Sequence, residues 1–300
     1  MSLMRNGSLD LVRLPAAFGV VLFHIHAPGA DLGYSGLAYF LILVPALGLP
    51  SSAVVSPVGF LQARARRLLL PWVIWSAIFA LLGVVLWCTT QRPLAEIFYP
   101  WMLVTGASLH LWFLPYAFLA SLCLPAIRRG VTGLSRPAFA LPLAASLLLL
   151  LASFAPALHS ASDPPLAQWG YGLPSLLAGL AWGLACLRGG NPWPVGLAVL
   201  AVIGLAAALG WQAGALQLAI GFGAVLACTA LPLPPSPLTA FCARHSMGVY
   251  LVHPLCASAL VRTLPIDHHG LALAASVMLT SLGVSVLLGT AGPTRILFGE

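Results

Sequence analysis

SLDLVRLPAAFGVVLFHIHAP (residues 8–28) is an apolar run of the length a bilayer crossing needs, yet it carries Asp10, Arg13 and His24. A membrane-spanning helix takes about 20 mostly apolar residues. At 100° per residue, Arg13 and His24 fall about 20° apart around the axis, and Asp10 lies about 60° from Arg13. One face thus holds an acid, a guanidinium and an imidazole, with His24 roughly 16 Å beyond Arg13 along the axis. Charged groups at membrane depth cost about 2.5–3.5 kcal/mol each on insertion scales. The stripe is therefore expected to line a polar cavity. The alternative is an interfacial Asp10–Arg13 pair with a hydrogen-bonded structural His24. A signal peptide would not carry Asp10, Arg13 and His24 and would end in an A-x-A site, so the run reads as an uncleaved first helix.

The rest of the chain is of the same kind. Of its 300 residues 60% are hydrophobic and only 6% charged, against about 25% charged in soluble domains. Too few charges exist to build a water-facing surface. The expectation is an all-α, polytopic transmembrane helical bundle of about ten membrane-spanning helices, with residues 1–300 forming one domain. Apolar runs bounded by Gly, Pro or charge place helices at 9–28, 33–49, 67–88, 109–127, 138–158, 168–187, 193–210, 214–231, 239–262 and 270–290, the second broken by Pro45 and Pro50. Loops are short. The longest, 89–108, holds Arg92 and Glu96.

All 13 basic residues are Arg, and numbering the connections alternately sorts them unevenly. Arg5, Arg13, Arg64, Arg66, Arg67, Arg128, Arg129, Arg136, Arg188, Arg244 and Arg295 fall on one side; Arg92 and Arg262 fall on the other. Excess Arg in short loops marks the cytoplasmic face, so both termini are expected there. The net charge of +7 is thereby read as membrane orientation, with no nucleic-acid partner. Six scattered cysteines form no CxxC pair and read as buried hydrophobes. His24 and His26 point about 200° apart on a helix, so they make no shared metal site, and no metal is expected.

Three further places could carry chemistry. FLQARARRLLLPW (60–72) sets Arg64 and Arg67 on one face beside Arg66. This is either topology signalling or an anion site, since Arg binds phosphate through paired hydrogen bonds and would suit a phosphate-rich cofactor. FCARHSMGVYLVHPL (241–255) brings Ser246, Tyr250 and His253 within about 60° of each other, with His253 at a depth similar to that of His24. A hydrogen bond to a neighbouring carbonyl is the plainer reading of His253. HLWFLPY (110–116) is an aromatic approach to the fourth helix. Trp112 and Tyr116 there suit an interface belt or a sugar-stacking platform.

These residues resemble the acyltransferase 3 family of bacterial membrane O-acyltransferases. LDLVR at 9–13 and FHIHAP at 23–28 resemble its opening helix, an Arg, ten residues, then His, which Arg13 and His24 match. Arg64 and Arg67 of RARR match its Arg-x-x-Arg element. HLWFL (110–114) is similar to its His-x-Trp-Phe-Leu stretch, and SMGVYLVHP (246–254) to its late Ser-x-Gly-x-Tyr-Leu-x-His segment. One place departs: the family's Phe-Phe-x-x-Ser-Gly-Phe in the second helix is replaced by AYFLILVPALGL at 38–49.

The resemblance implies a multi-pass protein of the bacterial inner membrane that moves an acyl group, acetyl first among candidates, from cytoplasmic acyl-CoA to a hydroxyl of a cell-surface carbohydrate or its lipid-linked precursor. It implies a stripe of His24, Arg13 and Asp10 at the reaction, Arg64, Arg67 and Arg66 toward coenzyme A, and Trp112, Tyr250 and His253 toward the acceptor. Membrane lipid and other polysaccharide-assembly membrane proteins are the implied neighbours. A thioester is already activated, so the reaction needs a base for the hydroxyl proton, and an imidazole with an ordinary pKa of about 6.5 suits that. No carboxylate is in reach to orient His24. The rival class is a transporter or flippase, in which the same stripe would be a substrate or proton path. It calls for inverted repeats with broken helices, and no repeat is visible.

Overall fold

The computed structural model describes residues 6–52, 56–90, 93–94, 97–160, 163–263, 267–290 and 292–299. Arg5, Arg92 and Glu96 lie outside them. Among the described residues the protein is helical throughout. Ten long helices answer the ten apolar runs: α1 (Gly7–Ile25), α3 (Ser35–Ser51), α4 (Pro57–Thr90), α6 (Phe113–Val131), α7 (Arg136–Ala152), α8 (Leu166–Arg188), α9 (Trp193–Ala208), α10 (Ala215–Ala230), α11 (Pro237–Thr263) and α12 (Leu271–Thr290). Two single-turn helices, α2 (Ala30–Gly33) and α5 (Met102–Thr105), sit in connections.

Six of the described segments are long and apolar enough to cross a membrane: α1, Ala30–Ser51, α4, Leu109–Val131, α8 and Leu271–Gly289. The chain is a multi-pass membrane protein. Helices α7, α9 and α10 are apolar but only 16 or 17 residues long, about 24–26 Å against a hydrocarbon core of roughly 30 Å. The 27-residue α11 is interrupted by Arg244, His245, His253 and Arg262.

Two local expectations change. The second helix is not broken by its prolines: α3 runs unbroken through Pro45 and Pro50. It is gripped by neighbours on several sides, which is where a membrane helix tolerates proline. The third helix starts ten residues earlier than its apolar run, so Arg64 and Arg66 sit inside α4 with Arg67 rather than before it. Arg is a good helix former, and the 34-residue α4 is about 51 Å long.

The start of α1 is tied to the connection between α10 and α11. Asn6 caps α1 by accepting from the Ser8 N–H at 3.0 Å and donates its amide to Cys228 O at 2.7 Å. Gly7 N–H donates to Leu233 O at 2.8 Å. Helices α1 and α11 therefore begin side by side and pack along their length. Central to the bundle is α3, packed against α1, α6, α8 and α10. Where α2 and α3 meet α1 there is no room for side chains: a Cβ at Gly36 of α3 would lie 2.0 Å from Ala16 O, and one at Gly19 would lie 2.3 Å from Gly33 O of α2. Small residues at such crossings let backbones touch.

Gly36→Ala is accordingly expected to destabilise by about 1–3 kcal/mol, although Ala normally improves a helix by roughly 0.5–1 kcal/mol over Gly. Gly204→Ala on α9, where a Cβ meets nothing within 4 Å, should be neutral or stabilising. Thermal unfolding of the two variants in detergent checks the opposite signs.

The connection from α4 to α6 does not stay at the surface. Phe98 packs near Gly83, but Trp72 Nε1 donates to Thr105 O at 3.0 Å. The chain thus descends eleven residues of α4, about 16 Å, before turning back. The turn is at Gly106, with φ 97°; a Cβ there would meet Ser76 Oγ at 2.6 Å and Trp72 Nε1 at 2.8 Å. Residues 109–112 then form a 3-10 turn leading into α6. Irregular backbone at this depth is tolerated because it is buried in protein: Thr105 and Leu111 are fully buried.

Candidate active site

The arginines of α1 and α4 converge. Arg13, Arg64 and Arg67 line one cavity of about 280 Å³, together with Ser246 and Tyr250 of α11. Asp10 pairs with Arg13 across one helical turn, Oδ1 to Nη2 at 3.2 Å. The pair expected as an alternative to a cavity-lining stripe coexists with it: Arg13 is paired and also faces the cavity, where its Nε is buried without a partner. The Arg64 guanidinium lies 5.1 Å over the Phe60 ring, which holds it toward α3. Arg66 is exposed and is not among the lining residues, as its position off the Arg64–Arg67 face dictates. The opposite wall, from α3, is apolar at Leu37, Phe40, Leu43, Val44 and Leu47 and ends on Ser51.

Further along the same helices stand three imidazoles. The His24 and His253 rings are 5.1 Å apart, and the His110 and His253 rings 5.5 Å apart. Parallel α1 and α11 bring the first two together. The descending connection delivers the third, so His110 is buried beside Phe79 of α4, 5.1 Å between rings, rather than at an interface. Two ladders agree on the level: Arg13 to His24 is about 16 Å of α1, and Arg67 to Phe79 about 18 Å of α4. His24 is one residue from the end of α1, not in mid-helix, while α4 runs on from Phe79 for about 16 Å more.

The cluster is wired to backbone. His253 Nδ1–H donates to Tyr250 O at 2.8 Å, the plainer contact expected of it, which leaves Nε2 with its lone pair. His110 Nδ1 is hydrogen-bonded to Ser108 Oγ at 2.8 Å. The Nε2 atoms of both His110 and His253 are buried and unpartnered. Tyr250 donates its hydroxyl to His110 O and also lines the arginine cavity. It is the partition between the two groups of residues. No carboxylate pairs with any of the three imidazoles among the described residues. His24 itself is exposed and opens on a second cavity, of about 450 Å³, shared with His26, Ser258, Arg262, His268 and His269. Among the described residues, no three His, Cys, Asp or Glu side chains are set to hold a metal ion.

A family model for an acyltransferase domain, acyltransferase 3, matches residues 6–290, nearly the whole chain. The chain belongs to the acyltransferase 3 family. No curated protein and no solved structure matches it. In this acyltransferase, the motif positions quoted above meet in space: Arg13, Arg64 and Arg67 at one level, His24, His110 and His253 at the next. Trp112 differs from its expected placement at an interface or on an open platform. It is 5% exposed, packed on Tyr116 with rings 5.6 Å apart, because the 3-10 turn carrying it is drawn into the bundle. His110 was not singled out from sequence; its only mark was the first position of HLWFL.

Proposed function

We propose that the protein is an acyl-CoA-dependent O-acyltransferase of the bacterial inner membrane, moving an acetyl-sized group from cytoplasmic acyl-CoA to a hydroxyl of a cell-surface carbohydrate or its lipid-linked precursor. The observation that carries this is the stacking of an arginine-lined cavity and an imidazole cluster along one helix pair, with Tyr250 belonging to both. In this reading about ten helices cross the membrane. Both termini are cytoplasmic, supported by the sorting of the arginines.

The arginine cavity is then the donor end. Arg64 and Arg67 offer paired donors to phosphate, and Arg13, held by Asp10, adds a third cation. A volume of about 280 Å³ is at the low end of ligand pockets, about 300–1,000 Å³. It admits a pantetheine arm with a small acyl group, the apolar α3 wall facing the chain, while the nucleotide stays at the mouth. The acceptor hydroxyl attacks the thioester carbonyl. Its proton goes to His24, the carbon–sulfur bond breaks, and the thiolate leaves to be protonated as coenzyme A. In place of a carboxylate, His253 presents its free Nε2 lone pair beside His24 and steadies the imidazole as it takes the proton.

Cells expressing the protein and fed labelled acetyl precursor should gain alkali-labile acetyl esters in extracted envelope glycans, and the purified protein in liposomes should release coenzyme A thiol when such glycans are supplied. Absence of both would overturn the reading. A reporter fused after the last residue should act only in the cytoplasm; periplasmic activity would reject the ten-helix orientation.

A further inference from the structure

We propose that the second cavity is an oxyanion site for the acceptor, and that the hydroxyl to be acylated sits on a molecule carrying a carboxylate or phosphate close by. This deepens the acyl-transfer reading and rests on it. The cavity is lined by His24, His26, Ser258, Arg262, His268 and His269 as its polar members. Arg262, Ser258, His26 and His268 can donate a hydrogen bond into it, His24 is the base, His269 spends its Nδ1–H on Ile25 O, and none is an Asp, Glu, Asn or Gln side chain. A neutral sugar donates many hydroxyl hydrogens and is best met by carbonyl or carboxylate acceptors. A guanidinium with two free imidazoles and a hydroxyl as donors, and no side-chain carboxylate or amide in the lining, is complementary to an anion instead. The nearby carboxylate, Asp267, is exposed and does not line the cavity; its Oδ1 accepts from His269 N–H at 3.0 Å.

Three features hold this lining in place. His269 is hydrogen-bonded through Nδ1 to Ile25 O at 3.0 Å. That bond uses the ring's N–H and staples the start of α12 to the end of α1. His26 closes α1 in the left-handed conformation, φ 55°, a position where Gly or Asn is the easy choice. It lies with its ring 6.2 Å from that of His269. Arg262 is one of two arginines that the topology sorts away from the cytoplasm, against the trend that places Arg inside. With Arg262 and His24 lining the same cavity, an acceptor anchored by its oxyanion presents a neighbouring hydroxyl to the base.

The test uses the full chain in nanodiscs with acetyl-CoA and three simple acceptors: a methyl glucuronide, a sugar phosphate and the neutral methyl glucoside. We expect the anionic acceptors to be used at an acceptor KM at least tenfold below that of the neutral one. The carboxylate and phosphate arms separate an acidic sugar from a phosphorylated, lipid-linked type of acceptor. Arg262→Gln should raise the acceptor KM for the preferred anion about tenfold or more, with the donor KM unchanged, and Arg262→Lys should restore part of it. Equal use of the neutral glucoside, or an unchanged acceptor KM in Arg262→Gln protein that remains monodisperse, would overturn the oxyanion site while leaving acyl transfer standing. Absence of transfer to every acceptor, in a protein that also shows no acetyl-CoA-dependent thermal stabilisation, would remove the acyl-transfer reading and this inference with it.

Discussion

His24→Gln is expected to lower acyl transfer by about 10²–10⁴-fold, the usual contribution of a positioned general base, with abundance and membrane insertion near those of the parent. Glutamine keeps a hydrogen-bonding group in the place of the imidazole but cannot take up a proton near neutral pH. A purely structural histidine would survive the exchange. The location makes the substitution mild for the fold, because His24 is exposed at the last turn of α1 and opens on a cavity. Labelled ester formation per unit of inserted protein is the measurement. Full activity in His24→Gln together with loss in His253→Gln would move the base one ring over, to the imidazole 5.1 Å away. Full activity in both would leave His110 as the one imidazole of the cluster still able to act as the base.

The second large effect is expected at the other cavity. Arg64→Ala with Arg67→Ala should raise the apparent KM for acyl-CoA at least tenfold, and more than it raises the acceptor KM. Each charge-assisted hydrogen bond lost is worth about 1.5–3 kcal/mol, and a donor-specific rise locates the loss in donor binding. Arg66→Ala is the comparison: the same charge leaves the same helix, but from an exposed residue off the cavity. If the double variant and Arg66→Ala changed the donor KM alike, the arginines would be acting on topology and not on phosphate.

The parts of this site that could be read from sequence share a property: they lie on unbroken helices. Arg13 and His24 on α1, and Tyr250 and His253 on α11, have fixed angular and axial spacings, and two helices starting together must bring residues at equal count to equal depth. Arg64 and Arg67 are legible as a pair for the same reason, although the helix under them began earlier than hydropathy could show. Helix-forming arginines carry no apolar signal. His110 was illegible because its depth depends on a descent of non-helical chain, and nothing in residues 98–112 distinguishes a buried turn from a surface loop except Gly106, whose need for positive φ shows only in the structure. Trp112 was misplaced by the same descent. The lining of the second cavity escaped because it gathers the ends of three helices, α1, α11 and α12, far apart in the chain.

The two cavities lie at opposite ends of the same stretch of α1, one at Arg13 and one at His24, with Tyr250 and His110 between them. If the proposed donor and acceptor enter by these two separate cavities, they do not compete for one vestibule. Raising the donor concentration cannot crowd out the acceptor, nor the reverse, so double-reciprocal rate plots should stay free of the upward curvature that marks substrate inhibition. Under the proposed acyl-CoA reaction, spent coenzyme A would leave by the donor cavity and the esterified product by the other.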